Sequence, residues 1–248
     1  MFLGVFCHQV GHSASHVLPQ ALICGKIWWG KVKMLLLRSQ MKTVKQLTME
    51  KTGDPRPWKV LKSEYVIRRP WLTARKDMVE LPNGVVNDEY YVLEYPSWVN
   101  IIARTVEGKF VFIRQYRHGL GCTCYEIVAG VVDDTDATPE DAARRELREE
   151  TGYGGGQWKL LSTLSGNASA MNNLTYCFVA EGVEPVDEQK LEDTEDITVH
   201  LLDEADVRNL LERDEIKQSL MVAPLWKYLT IGVPCERAVP DNSCGKPF

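Results

Sequence analysis

The sequence predicts an α/β protein, an α/β/α sandwich around a mixed sheet, with a small β-rich domain in front of it. Three observations carry this expectation. Segments with strand character recur from Trp58 to Val132. One amphipathic helix with clear ends follows at about 138–152, and further strands then precede two helices near the C-terminal end. Strands on both sides of a central helix, with more helices to come, need a helical layer to cover each apolar face of the sheet.

The elements follow in order. "WKVLKSEYVIRR" from Trp58 and "ARKDMVEL" from Ala74 read as strands rich in β-branched and aromatic residues. "PNG" at 82–84 marks a turn into "EYYVLEY". "WVNIIARTV" and "KFVFIRQY" flank the turn Glu107-Gly108 as a hairpin, and a loop with Gly119 and Gly121 leads to "YEIVAGVV". The central helix begins with Thr138 as N-cap and Pro139 in the first helical position. Asp141, three residues after the cap, makes a variant of the capping box, and Gly152 suits the left-handed position that ends a helix. Ala142, Ala143 and Leu147 give it an apolar side. "WKLLSTLSG", "LTYCFVAEGV" and "ITVHLL" then read as strands, and helices are expected at about 203–213 and 217–229.

Composition is that of a globular protein, with 44% hydrophobic and 25% charged residues. The charge is uneven: residues 1–40 hold no Asp or Glu and only the bases Lys26, Lys31, Lys33 and Arg38, which leaves an acidic body. A general nucleic-acid binder needs a basic footprint, so that class is excluded. No apolar run reaches the roughly 18 residues of a membrane span. The seven cysteines include no CxxC pair, and Cys122 and Cys124 form a lone CxC. This reads as free thiols in a reducing, cytoplasmic setting. His8, His12 and His16 have helical spacing, but Gly11 and the neighbouring serines make a poor helix there. Residues 1–40 are read as a dispensable extension, and the tail at 232–248 as a fraying end.

The chemistry is concentrated in "ARRELREETGY", residues 143–153. Glu146, Glu149 and Glu150 stand at i, i+3 and i+4, on one helix face and about 5–6 Å apart at Cβ. A solvated face laced with ion pairs accounts for Arg145 and Glu149. It does not account for Glu146 and Glu150, a like pair at a spacing unfavourable by about 0.2–0.5 kcal/mol. Clustered carboxylates become favourable around a hard divalent cation, which takes oxygen ligands.

Read from Gly130, "GVVDDTDATPEDAARRELREETGY" resembles the Nudix box, GX5EX7REUXEEXGU. Arg145, Glu146, Leu147, Glu149, Glu150, Gly152 and Tyr153 match its second half in register. The first half is one residue longer, so that its acid falls on Asp136 or Ala137. "RQYRHG" before "YEIVAG", "EDI" at 195–197 and "DEIKQSLMVAPLWKYL" further resemble the ADP-ribose pyrophosphatase branch over roughly residues 56–230. Two departures from that branch are Val128 and Ala168, which stand where it favours proline.

The resemblance implies a Nudix-type sandwich at 98–231 behind a dimerising β-domain at 41–97, hence a homodimer. It implies Mg2+, or Mn2+, held by Glu146, Glu149, Glu150 and the Ala129 carbonyl, with Arg145 orienting the glutamates. Glu195 becomes the expected proton acceptor, with Glu149 beside it and Glu192 as the next choice. Arg117 and Glu126 are expected at the substrate, and Trp71, Trp58 or Tyr65 could stack on a base. The expected activity is hydrolysis of a nucleoside diphosphate sugar, ADP-ribose foremost, to a nucleoside monophosphate and a sugar phosphate. A nucleoside triphosphate pyrophosphohydrolase and a non-catalytic ADP-ribose sensor are the alternatives. The strand-rich segment before residue 98 weighs against the first, and the complete set of helix glutamates against the second.

Overall fold

The computed structural model describes residues 56–232. The expectations for residues 1–40, for the first part of the 41–97 domain and for the tail beyond Gly232 lie outside them.

Three strands come first: β1 (Lys59–Arg69), β2 (Leu72–Glu80) and β3 (Val86–Glu94), antiparallel and in that spatial order. The PNG turn joins β2 to β3. Gly84 N–H donates to Leu81 O at 2.9 Å and Leu81 N–H to Val85 O at 2.8 Å, with Pro82 fixing the first corner. On β2, Asp77 is buried, where it accepts from Ser63 Oγ at 2.6 Å and pairs with Arg75. Every residue of β1 is exposed, including Val60, Leu61, Val66 and Ile67. Such an apolar edge strand is an open template for another surface.

β3 is tied to the rest of the chain through backbone bonds. Leu93 N–H donates to Ala170 O at 2.7 Å, and Asn172 N–H to Leu93 O at 3.2 Å. The main sheet comprises β4 (Trp98–Thr105), β5 (Phe110–Arg117), β6 (Cys122–Val131), β7 (Tyr153–Leu164), β8 (Thr175–Pro185) and β9 (Ile197–Leu202). Their order is β7-β8-β4-β6-β5-β9, with β4 and β8 parallel and the other neighbours antiparallel. The mixed sheet expected from the sequence is therefore present.

Helix α1 (Pro139–Thr151) covers one face, and α2 (Glu204–Glu212) and α3 (Ser219–Ile231) cover the other. The period of two along the strands divides the core accordingly. Val99, Ile101, Val111 and Ile113 pack on Ala142, Ala143 and Leu147 of α1. Ile102, Phe110, Phe112 and Ile127 pack on Val207, Leu211, Met221 and Leu225. Burial on both faces explains why β4 and β5 read as near-continuous apolar runs. Truncating a fully buried residue such as Leu147 to Ala would cost about 2–5 kcal/mol.

Several boundaries differ from the sequence reading, β3 for instance beginning at Val86 rather than Glu89, and two starts show the reason. β6 begins at Cys122 rather than Tyr125, and β7 at Tyr153 rather than Trp158. In each case a neighbouring strand supplies a ladder: Arg117 pairs with Cys122, and Tyr153 with Pro185. Tertiary pairing there overrides the weak strand propensity of the glycines at 154–156.

Candidate active site

The site is built around α1. Thr138 caps it, with extended backbone and a side chain that accepts from Asp141 N–H at 3.2 Å. Gly152 ends it at φ 75°, its N–H bonded to Arg148 O at 2.9 Å. A Cβ at Gly152 would stand 2.4 Å from Asp187 O, so both the turn and the close approach require glycine. The last carbonyls of a helix lack partners within it. Here they are met by the following loop: Lys190 N–H donates to Glu149 O at 2.8 Å, and Gln189 Nε2 to Glu150 O at 2.6 Å. That loop leads on to Glu195, whose carboxylate accepts from Glu192 N–H at 2.9 Å.

Arg145 is the hub of the acidic face. Nε and Nη2 bond Asp136 at 3.2 and 3.0 Å, and Nη2 also reaches Val131 O at 3.0 Å. Nη1 lies 3.0 Å from Glu146 Oε1 and 3.0 Å from Glu149 Oε2. One guanidinium thereby fastens the loop before α1, the end of β6 and two glutamates. The pairing with Arg145 holds the Asp136 carboxyl below its usual range.

Glu150 is buried, and Glu146 beside it is half-buried. Glu146 lies against Gly130, where an added Cβ would stand 2.0 Å from its carboxyl carbon. Burial pushes its pKa up to about 6, against the pull of Arg145, and the charges of Glu149 and Glu195 push the same way. Glu150 is 4% exposed, and burial, followed by the charges of Glu146 and Glu195, pushes it up to about 9. Its Oε2 has no hydrogen-bond partner. A buried, unpaired carboxylate oxygen is unfavourable without a cation or a proton.

Beside these groups a cleft of about 680 Å³ is lined by the end of β6 (Glu126, Ala129, Gly130), by Arg117 and by Lys217. Glu126 is 2% exposed and is held by a two-pronged contact from Arg117, whose Nε donates to Glu126 Oε1 at 2.8 Å. A second hollow, about 510 Å³, lies on the outer side of α1 near Arg144, Arg148 and Trp158. Its cations are matched, Arg144 by Glu140 and both Arg148 and Lys190 by Asp187.

Comparison with known proteins matches this arrangement to one family. A family model described as the NUDIX domain covers residues 95–223, more than half of the chain. The chain belongs to the Nudix family. Ahead of the Nudix domain, residues 58–93 match a nucleoside diphosphate sugar hydrolase N-terminal domain. An ADP-ribose pyrophosphatase of Bacillus subtilis is 28% identical over 64% of this chain and 85% of its own. A protein of the same name from Mycobacterium tuberculosis is 29% identical over 67% of this chain and 80% of its own. A crystal structure described as an ADP compounds hydrolase superposes with a TM-score of 0.63, covering 72% of this chain and 95% of that one. At 23% identity it speaks for the fold alone.

In this Nudix hydrolase, Arg145, Glu146, Glu149, Glu150 and Glu195 come together, while Arg117, Glu126 and Ala129 line the adjoining cleft. Trp71 is not brought to them. It sits at the turn between β1 and β2, 80% exposed and outside the cleft lining. Arg117 is engaged with Glu126, and Glu149 is turned onto Arg145. Among the described residues, no three His, Cys, Asp or Glu side chains stand together as a ready metal cage. The donor chemistry nevertheless fits a hard divalent cation. The carboxylates of Glu146 and Glu150 and the Ala129 carbonyl offer oxygen only, and Glu150 Oε2 lacks a hydrogen-bond partner. Mg2+ commonly keeps several waters and needs few protein ligands. Asp136 is a site residue whose role the sequence left open. Its signal was its place at the first acid of the box, shifted by the extra loop residue.

Proposed function

We propose that this Nudix hydrolase cleaves the diphosphate bond of a nucleoside diphosphate sugar, ADP-ribose foremost, into a nucleoside monophosphate and a sugar phosphate. One observation carries the reading: buried Glu150, with an unpartnered oxygen, beside Glu146 and within reach of the charge of Glu195, at the edge of a cleft wide enough for a nucleotide. The printed names of the relatives and of the N-terminal domain support the substrate class.

In this reading Glu146, Glu150 and the Ala129 carbonyl hold Mg2+ or Mn2+, with Glu149 joining them once released by Arg145. When bound, such a cation neutralises phosphate oxygens and acidifies a coordinated water. The protein's own groups do the rest. Arg145 fixes the direction of the glutamates, and Glu195, on a loop, accepts the proton of the attacking water. The water oxygen bonds to one phosphorus, and the bridging oxygen leaves with the other phosphate. Arg117, held by Glu126, presents its guanidinium at the cleft wall as a phosphate contact.

Two chains complete the assembly. The exposed apolar edge of β1 is covered in a homodimer, and Trp71 at its tip stacks on a base only through a partner chain. The free thiols Cys122, Cys124 and Cys177 suit a reducing, cytoplasmic setting. No helix among the described residues is long and apolar enough to cross a membrane. A panel of nucleotide sugars and nucleoside triphosphates, with Mg2+ or Mn2+ and products separated by chromatography, tests the reading. Cleavage of triphosphates alone would overturn it.

A further inference from the structure

The cleft contains one charge that nothing among the described residues balances. Of the residues lining it, Arg117, Glu126 and Lys217 carry full charges, and the first two neutralise each other. Lys217 is exposed, and among the described residues no acid or acceptor pairs with it.

Its place is fixed by its neighbours. Ile216 is buried in the core beneath α2 and α3. Leu220, in the first turn of α3, is buried as well, and its carbonyl accepts from Asn100 Nδ2 of β4 at 2.7 Å. Lys217 lies between these two anchors, so its backbone is pinned while its side chain is free at the cleft wall. A flexible ammonium of this kind acts as a mobile point charge toward an anion. The need for one is local. A diphosphate is an anion, and Lys217 is the cleft-lining cation that no carboxylate among the described residues already neutralises. Arg117 stands at the same wall with its charge shared with Glu126, so a second cation adds to the hold on an anion.

We propose that Lys217 is a substrate-anchoring residue, its ammonium binding a phosphoryl oxygen of the ligand from the α3 side of the cleft. This rests on the functional reading above and adds a contact from an element outside the box. Because the contact is the same in ground state and transition state, it acts on binding rather than turnover.

The test measures binding apart from chemistry. A methylene-bridged, non-hydrolysable analogue of ADP-ribose is titrated into the full chain, wild type and Lys217→Ala, with Mg2+ present. Loss of a hydrogen bond to a charged group weakens binding about 10–100-fold. The Kd of Lys217→Ala is expected to rise by that factor, Lys217→Arg to retain most of the affinity, and the unfolding midpoints to be unchanged. Higher ionic strength should weaken the wild type more than Lys217→Ala. A Kd for Lys217→Ala within about twofold of wild type overturns the assignment, whether or not the enzyme cleaves ADP-ribose. Wild type that binds the analogue but cleaves no nucleotide sugar overturns the functional reading and leaves Lys217 in place. Failure of the wild type to bind overturns both.

Discussion

Gln189 Nε2 stands 2.6 Å from the carbonyl oxygen of Glu150 and 3.3 Å from that of Ile197. One amide therefore ties the end of α1 to the start of β9, and Glu195 lies on the segment between. The positions of Glu150 and Glu195 are thus set by a residue that belongs to neither the box nor the loop acids.

Gln189→Ala is expected to loosen that tie. Losing one or two hydrogen bonds of ordinary worth removes about 1 kcal/mol, or about 2–4 °C of melting temperature for a domain of this size. The larger effect falls on kcat, since the loop acid loses its placement while the cleft is untouched. Thermal melts with steady-state kinetics check this, and a kcat equal to that of wild type would refute the tie.

Glu150→Gln is expected to lose several orders of magnitude in turnover and to gain stability when divalent ions are chelated. The folded pKa of Glu150, about 9, lies above the ordinary value of 4.5. A group raised in this way supports the fold fully below the unfolded value, and that support is lost as pH rises through the folded value. Metal-free protein should therefore melt at falling temperature between about pH 4.5 and 9, by an energy of at most about 6 kcal/mol. Glu146, raised to about 6, adds its share in the lower part of that window. In Glu150→Gln the decline should flatten. Melting curves in EDTA across this range that coincide for the two proteins would count against a strained carboxylate.

Glu195→Gln is expected to lower kcat about 10²–10⁴-fold, the usual worth of a general base. Binding should change little, because glutamine keeps the shape. A kcat within about threefold of wild type clears Glu195, and Glu192→Gln is then the substitution to measure.

A dimer is expected in solution. A small sheet with an apolar face exposed is marginal in water unless another surface covers it. Light scattering at micromolar concentration should give twice the chain mass. Charged substitutions on β1, such as Val66→Lys with Ile67→Glu, should shift that mass toward the monomer. A wild-type mass of one chain would end this reading.

Much of the fold was legible because its signals are local. The strands of the hairpin β4–β5, the PNG turn and both ends of α1 follow from Pro, Gly and Thr at positions where backbone geometry needs them. The box glutamates were legible for the same reason, since helical spacing alone places Glu146 and Glu150 on one face. What stayed hidden depends on distant pairing. The starts of β6 and β7 are set by Arg117 and Pro185, which no local pattern announces. The grip of Asp136 on Arg145 spans a loop of irregular length, and the clasp of Arg117 on Glu126 appears only when β5 and β6 are in register. Trp71 is the clearest miss within one chain. An aromatic next to a turn looks the same in sequence whether it faces its own cleft or solvent.

The parallel pairing of β4 with β8, Trp98 beside Thr175, also bears on how the chain is made. Contacts so distant in sequence form late, because a long loop must close first. A nascent chain emerging from the ribosome can bring β4, β5 and β6 together and form α1 while β8 is still unsynthesised. It then exposes the apolar flank of β4 and carries its box glutamates without the Gln189 tie between α1 and β9. Hydrolytic competence is therefore among the last properties acquired during biosynthesis, and chains truncated before β9 should be both inactive and prone to capture by chaperones.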